Sequence, residues 1–145
     1  PQMVDCSSFT KWCFGLCGIW LPRRSIQQFA CGMVVDPDDI TAGDLIFTVS
    51  KYDNYYLGDP AAGVGHVSIA TGESSVIHAT SLRCGVVEEP IVRLFKKDRF
   101  RGARRMILNR QNMVVLLTPA GLEVETSDDI KWIIVEALLT YLLKF

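Results

Sequence analysis

Asp5-Cys6-Ser7-Ser8-Phe9-Thr10-Lys11-Trp12-Cys13-Phe14-Gly15-Leu16-Cys17 is the stretch on which the reading of the fold turns. It reads as a helix, because Phe9, Trp12, Cys13, Leu16 and Cys17 fall at the i, i+3, i+4, i+7, i+8 spacing of a buried face. Asp5 is placed to cap its start and Gly18 to stop it. Cys6 then stands at a helix N-terminus, where backbone N–H groups and the dipole favour negative charge. A cysteine nucleophile has to be a thiolate, so the position suits one. Position alone does not separate a nucleophile from a buried cysteine.

Beyond this helix the chain turns through Leu21-Pro22-Arg23-Arg24-Ser25, and Ser25 is placed to cap a shorter helix through Gln27, Gln28 and Phe29. Asp36-Pro37-Asp38-Asp39 reads as a loop, and so do residues 51–64, with their tyrosines, Gly58, Asp59 and Pro60. Strands are expected over 44–49, 66–71, 76–80, 86–92 and 103–108. One helix followed by a run of antiparallel strands is an α+β pattern. After Leu108 the character changes. Residues 109–112 are polar, 114–117 are strand-like, and Ser127 caps a helix whose stripe is Ile130, Ile133, Ile134, Ala137, Leu138 and Tyr141. The expected division is a domain over 1–108 and a C-terminal extension over 109–145.

At 145 residues the chain has the length of one domain with a real core. A net charge of -1 gives no electrostatic footprint for nucleic acid or an anionic membrane. The four arginines between Arg99 and Arg105 read as a solvated strand or turn. The most apolar tract, 130–145, is too short to span a membrane and carries Lys131, Glu136 and Lys144. Five cysteines (Cys6, Cys13, Cys17, Cys31 and Cys84) are an odd number and argue against a disulfide framework. With no C-x-x-C and two histidines, nothing points to zinc or another metal, and no cofactor is implied. Cys13 and Cys17, one helical turn apart, read as small core residues. No signal peptide is visible, and the abrupt start suggests that an upstream segment was removed.

The two histidines, His66 and His78, fall on adjacent strands of one expected hairpin. They share a face only if paired positions sum to an even number, which takes an odd-length loop or a bulge. A three-residue loop Gly72-Glu73-Ser74 would pair Ser68 with His78 and set His66 diagonal to it. His78 could then hold the ring of His66 so that its other nitrogen faces the thiol. The competing reading of each is a core histidine satisfied by a backbone carbonyl.

These residues also resemble a known family. Asp5-Cys6-Ser7-Ser8-Phe9 is similar to the D-C-S-G-F motif opening the catalytic helix of NlpC-type peptidases, and Leu21 to Gln28 is similar to their L-P-R-x-S-x-Q-Q segment. Gly43-Asp44-Leu45-Ile46-Phe47 is similar to G-D-L-v-F. Gly65-His66-Val67-Ser68-Ile69 with Val76-Ile77-His78-Ala79 resembles H-V-G-I … f-I-H-A, and Phe100 to Arg105 resembles F-x-G-A-R-R. Five motifs in order cover roughly residues 3 to 108. The resemblance implies a papain-like core, with the catalytic helix packed on an antiparallel sheet. It also implies Cys6 as nucleophile, His66 as base and His78 as the third, orienting residue. Asp5, Ser7 and Ser8 are implied in recognising a stem peptide of peptidoglycan. The expected reaction is hydrolysis of the γ-D-glutamyl link to a diamino acid through a thioester acyl-enzyme. Arg23 and Asp44 match motif positions too and read as hydrogen-bonding supports.

The chain departs from the pattern at Ser8 and Ser68, where the family has glycine. The C-terminal extension has no counterpart in the family core; packing on the sheet, a homodimer contact and occlusion of the cleft are its open roles. An acyltransferase or amidase of the same clan and a non-catalytic binding module are the competing functions. Since peptidoglycan lies outside the cytoplasm, a periplasmic or secreted site in the cell envelope is expected.

Overall fold

A computed structural model of the chain describes residues 4–50, 63–81, 83–96 and 98–106. The loop expected over 51–64, for the most part, and the whole C-terminal extension, with its strand, helix and dimer contact, lie outside the described residues.

Helix α1 spans Cys6–Leu16. Asp5 caps it as expected: Asp5 Oδ1 accepts the Ser8 N–H at 2.7 Å, and Ser8 Oγ accepts the Asp5 N–H at 2.9 Å, a reciprocal capping box. The far end closes on Gly18, whose φ of 75° continues the chain left-handed. There the N–H of Ile19 bonds Phe14 O and that of Gly18 bonds Gly15 O, the pairing of a Schellman motif, with Ile19 packed against the cluster that holds Phe14.

The buried face of α1 is not the one the apolar spacing predicts. Ser7, Phe9, Thr10 and Phe14 are buried, whereas Trp12 is 46% and Leu16 70% exposed, and Cys17 is also exposed. The reason lies in α2, Ser25–Phe29. Its Gln28, fully buried, accepts from Thr10 Oγ1 at 2.8 Å and donates to Ser7 O at 3.0 Å and Pro22 O at 2.8 Å. A satisfied polar network thus draws the hydroxyl stripe of α1 inward and turns the Trp12–Leu16 stripe out. Ser25 is the first residue within α2, not its cap. Arg24 holds the cap position, its N–H bonded to Gln27 Oε1 at 3.1 Å.

Among the described residues six strands follow: β1 Met33–Val35, β2 Leu45–Thr48, β3 His66–Ala70, β4 Ser75–Ala79, β5 Val86–Pro90 and β6 Phe100–Arg105. They form one antiparallel sheet in the order β1-β6-β2-β3-β4-β5. The expected strands are present with shifted ends, most for β6, and β1 was not expected. Short 3-10 turns lie at Pro37–Asp39, within the expected loop, and at Ile91–Arg93. All four residues of β2 are buried, because each sheet face carries its own cluster. Leu45, Phe47, Val64 and Val67 pack with Phe14 and Leu21 on the helix side. Ile46, Ala70, Val76 and Ala103 pack with Val35 and Leu94 on the other.

The arginines of β6 are bound rather than solvated. Arg105 reaches Asp44 with Nη2 at 2.7 Å and Nε at 2.8 Å, and Arg104 lies 4.0 Å over the Phe29 ring while its Nε bonds Phe29 O. Asp44 is thereby the structural support its position suggests. Burial alone would raise its carboxyl pKa, but the Arg105 and Thr41 hydrogen bonds outweigh it and lower the value.

Candidate active site

Cys6 is the first residue of α1, half-buried against the Phe47, Val64 and Val67 cluster. The β3–β4 ladder is short, pairing Ile69 with Ile77 and Ala70 with Val76, and Val67 lies beyond its end. The Val67 N–H is directed at the Cys6 sulfur instead. Gly65, on the other side of His66, lines the same open cleft of ≈ 380 Å³ as Asp5, Cys6, Ser7, Arg23, Arg24 and Ser25. Of the residues flanking His66 in the chain, Val67 thus reaches the Cys6 sulfur and Gly65 shares its cleft.

The hairpin loop is the odd-length one, with Gly72 at φ 88° and Ser74 at φ 62° on either side of Glu73. The register therefore runs on to Ser68 opposite His78, with His66 diagonal on the same face. His66 Nε2 and His78 Nδ1 are 2.6 Å apart, and the rings meet edge to face at 74° with centroids 4.9 Å apart. His78 is 5% exposed. Its other nitrogen, Nε2, lies 3.1 Å from Glu89 Oε1, and Glu89 Oε2 lies 3.5 Å from Arg93 Nη1. The Nε2–Oε1 approach is short but off the line of the ring N–H, a bent contact to the carboxylate and not a linear hydrogen bond.

The electrostatics favour neutral partners. Burial pushes the Cys6 thiol above its ordinary pKa; the Val67 N–H acts against this and the Asp5 charge adds to it. The expectation that the helix N-terminus yields a resting thiolate is thus offset by burial and by the carboxylate that caps the helix. Burial also drives His66 down to about 4, helped by the neighbouring His78 and by the charge of Arg99. His78 is lowered by burial, which Glu89 partly offsets. Two neutral rings at 2.6 Å share one proton, and a thiol awaits a base.

Asp5 faces the cleft with both oxygens engaged. Oδ2 takes Arg23 Nη2 at 2.6 Å, while Oδ1 takes Arg23 Nη1 at 3.1 Å and Ser7 Oγ at 3.2 Å. Burial would raise its pKa, but the Arg23 pair and the Ser8 N–H prevail and lower it to about 2. Ser7 also accepts from Arg23 Nη1 at 3.1 Å. Ser8 does not line the cleft; its hydroxyl bonds the backbone N–H and carbonyl of Asp5. Cys13, half-buried, and Cys17, exposed, lie away from the cleft. Among the described residues no group of three His, Cys, Asp or Glu side chains is arranged to hold a metal ion. Glu89 and Arg24 did not stand out in the sequence. Arg24 lies next to a motif arginine, and only the β4–β5 register brings Glu89 to His78.

Residues 1–105 match the family model described as the NlpC/P60 family. Probable endopeptidase p60 of Listeria innocua is 35% identical over 79 residues, 54% of this chain and 15% of that protein. The gamma-D-glutamyl-L-lysine dipeptidyl-peptidase of Bacillus cereus is 32% identical over 104 residues, 71% of this chain and 29% of that one. The chain therefore spans less than a third of either relative. The crystal structure of an NlpC/P60 family protein from Bacillus cereus superposes with a TM-score of 0.59 at 31% identity, covering 72% of this chain and 32% of that one. A helix packed on an antiparallel sheet, in this company, is the α+β papain-like fold.

Proposed function

Since the chain belongs to the NlpC/P60 family, we propose that it is a cysteine peptidase of the cell wall that cuts stem peptides at the γ-D-glutamyl bond to a diamino acid. The observation that carries this reading is the His66–His78 contact at 2.6 Å, on a strand whose Val67 N–H meets the Cys6 sulfur. The similarity to the dipeptidyl-peptidase of Bacillus cereus supports the choice of bond.

In this mechanism His66 takes the thiol proton as Cys6 attacks the γ-carbonyl. The sulfur–carbon bond forms, the proton passes to the departing amine, and water then hydrolyses the thioester. His78 holds the imidazole of His66. The Cys6 N–H, at the start of α1, stabilises the oxyanion. Asp5 and Ser7 take the free amino end of the stem peptide, and Ser8 holds Asp5 in place. Arg24 faces the α-carboxylate that a γ-linked glutamate leaves free. Such a substrate lies outside the cytoplasm, so the site of action is the cell envelope or beyond it.

The test is incubation with L-Ala-γ-D-Glu-diaminopimelate-D-Ala, beside the Cys6→Ala variant, with products followed by mass spectrometry. Release of L-Ala-D-Glu by the wild type alone supports the reading. Absence of cleavage while iodoacetamide still labels Cys6 overturns the substrate and turns attention to other acyl donors.

A further inference from the structure

β5 carries two consecutive glutamates, and the register sends them to opposite faces. Glu88 lies across from Ile77 and bonds Ser75 Oγ, whereas Glu89 lies across from Val76 and diagonal to His78. The Glu89 side chain is 23% exposed, and its Oε1 is 3.1 Å from His78 Nε2. Three side chains on three neighbouring strands therefore form one row: His66, His78, Glu89.

The proton count along this row has two solutions. In one, His78 carries its proton on Nδ1 and donates it to His66 Nε2. The His66 proton is then on Nδ1, and no lone pair is left for a thiol. In the other, His78 carries its proton on Nε2, its Nδ1 accepts from His66 Nε2–H, and His66 Nδ1 is an open base. A carboxylate can accept a proton and has none to give, so a carboxylate at His78 Nε2 selects the second solution. Glu89 is held there by Arg93, at 3.5 Å from Oε2.

We propose that Glu89 is a positioning residue that sets the tautomer of both imidazoles, and so leaves Nδ1 of His66 unprotonated. This deepens the peptidase reading and rests on it for its catalytic consequence. The low pKa values of both rings agree, since two neutral imidazoles are the case in which tautomer choice matters. In Glu89→Gln the amide oxygen turns to Arg93 and the amide N–H₂ to His78 Nε2, which then must accept.

The experiment is nitrogen NMR of the ¹⁵N-histidine-labelled protein, read alongside kinetics. The wild type shows both rings as the Nε2–H tautomer. Glu89→Gln shifts His78 and His66 toward Nδ1–H, lowers kcat about 100-fold with KM held, and slows alkylation of Cys6 by iodoacetamide, the scale of a lost general base. Glu88→Gln, which removes the neighbouring charge from the opposite face, changes none of these. A wild type with His78 protonated on Nδ1 overturns the proposal without any variant. So does a Glu89→Gln protein with wild-type tautomers, or with shifted tautomers and full kcat. A wild type with both Nε2–H tautomers that cuts no stem peptide supports the tautomer assignment and sinks the peptidase reading instead.

Discussion

Gln28 and Thr10 meet in the fully buried space between α1 and α2, with Thr10 Oγ1 donating to Gln28 Oε1 at 2.8 Å. The same amide holds the carbonyls of Ser7 and Pro22. One side chain thereby anchors the turn of α1 just after Cys6. Removing it leaves buried acceptors unsatisfied, and each such loss is expensive. Gln28→Ala is expected to destabilise the fold by about 2–4 kcal/mol, read from urea denaturation. A change below 1 kcal/mol, the scale of an ordinary surface substitution, would sink the network's structural role.

Cys6→Ala or His66→Ala should each lower kcat/KM by roughly 10⁴-fold or more on the stem peptide, with little extra loss in the double variant, because in the proposed mechanism the pair acts as a unit. His78→Ala should cost about 10- to 100-fold, and His78→Asn less, since an amide can still accept from His66 Nε2. An unchanged rate in His78→Ala would remove it from the mechanism.

The resting pair is neutral, and alkylation kinetics test this directly. Iodoacetamide reacts with the thiolate, and burial lifts the Cys6 pKa above the ordinary thiol value. The labelling rate at Cys6 should therefore climb continuously through neutral pH and beyond pH 9. A plateau from acid to neutral pH would indicate a preformed thiolate–imidazolium pair and refute the neutral state.

His66 has its pKa lowered to about 4, so the free imidazole is the dominant form above that value. As pH falls, kcat/KM should hold through the ordinary histidine range near 6.5 and drop only around pH 4. An acid limb centred near 6.5 in the free-enzyme profile would contradict the burial of the ring.

Asp5 is lowered to about 2 in the folded chain, against an ordinary 3.8. Its contribution to stability is thus complete well above 3.8 and lost as pH falls through about 2. The difference in denaturation midpoint between wild type and Asp5→Asn should be flat near neutrality and close in that acid window. The pair is half exposed, so the effect is small and falls further with salt. A gap that persists at pH 2 would assign Asp5 a role other than ion pairing.

Much of the site was legible because it rests on local chemistry. Asp5 as cap and Gly18 as stop follow from residue type, whereas the odd loop at 72–74 was only the condition for a shared face, since strands expected over 66–71 and 76–80 leave four residues between them. What stayed hidden depends on partners distant in the chain. The helix α1 offers two stripes, and Gln28, eighteen residues beyond Thr10, decides which one turns inward. β1 is three residues with Met33 and Val34 exposed, too short to show a period. β6 begins among arginines that look solvated until Asp44 and Phe29 receive them. Of Glu88 and Glu89, only the connection between Ala79 and Val86 decides which faces His78.

The last strand in the described chain does not sit at an edge. β6 lies between β1 and β2, strands that precede it by more than fifty residues, and it also supplies the arginine stacked on Phe29 of α2. β2 to β5 can pair in sequence as a meander, and α2 packs its Phe29 on Phe47 of β2, but β1 has no strand to pair with until residues 100–105 arrive. Limited proteolysis of chains ending at residue 99 or 106 reads this difference directly, as digestion of the shorter chain around residues 31–36. During synthesis Cys6 and both histidines emerge long before that closing strand. Such non-local closure makes for slow folding, and it couples completion of the sheet to synthesis of residues 100–105.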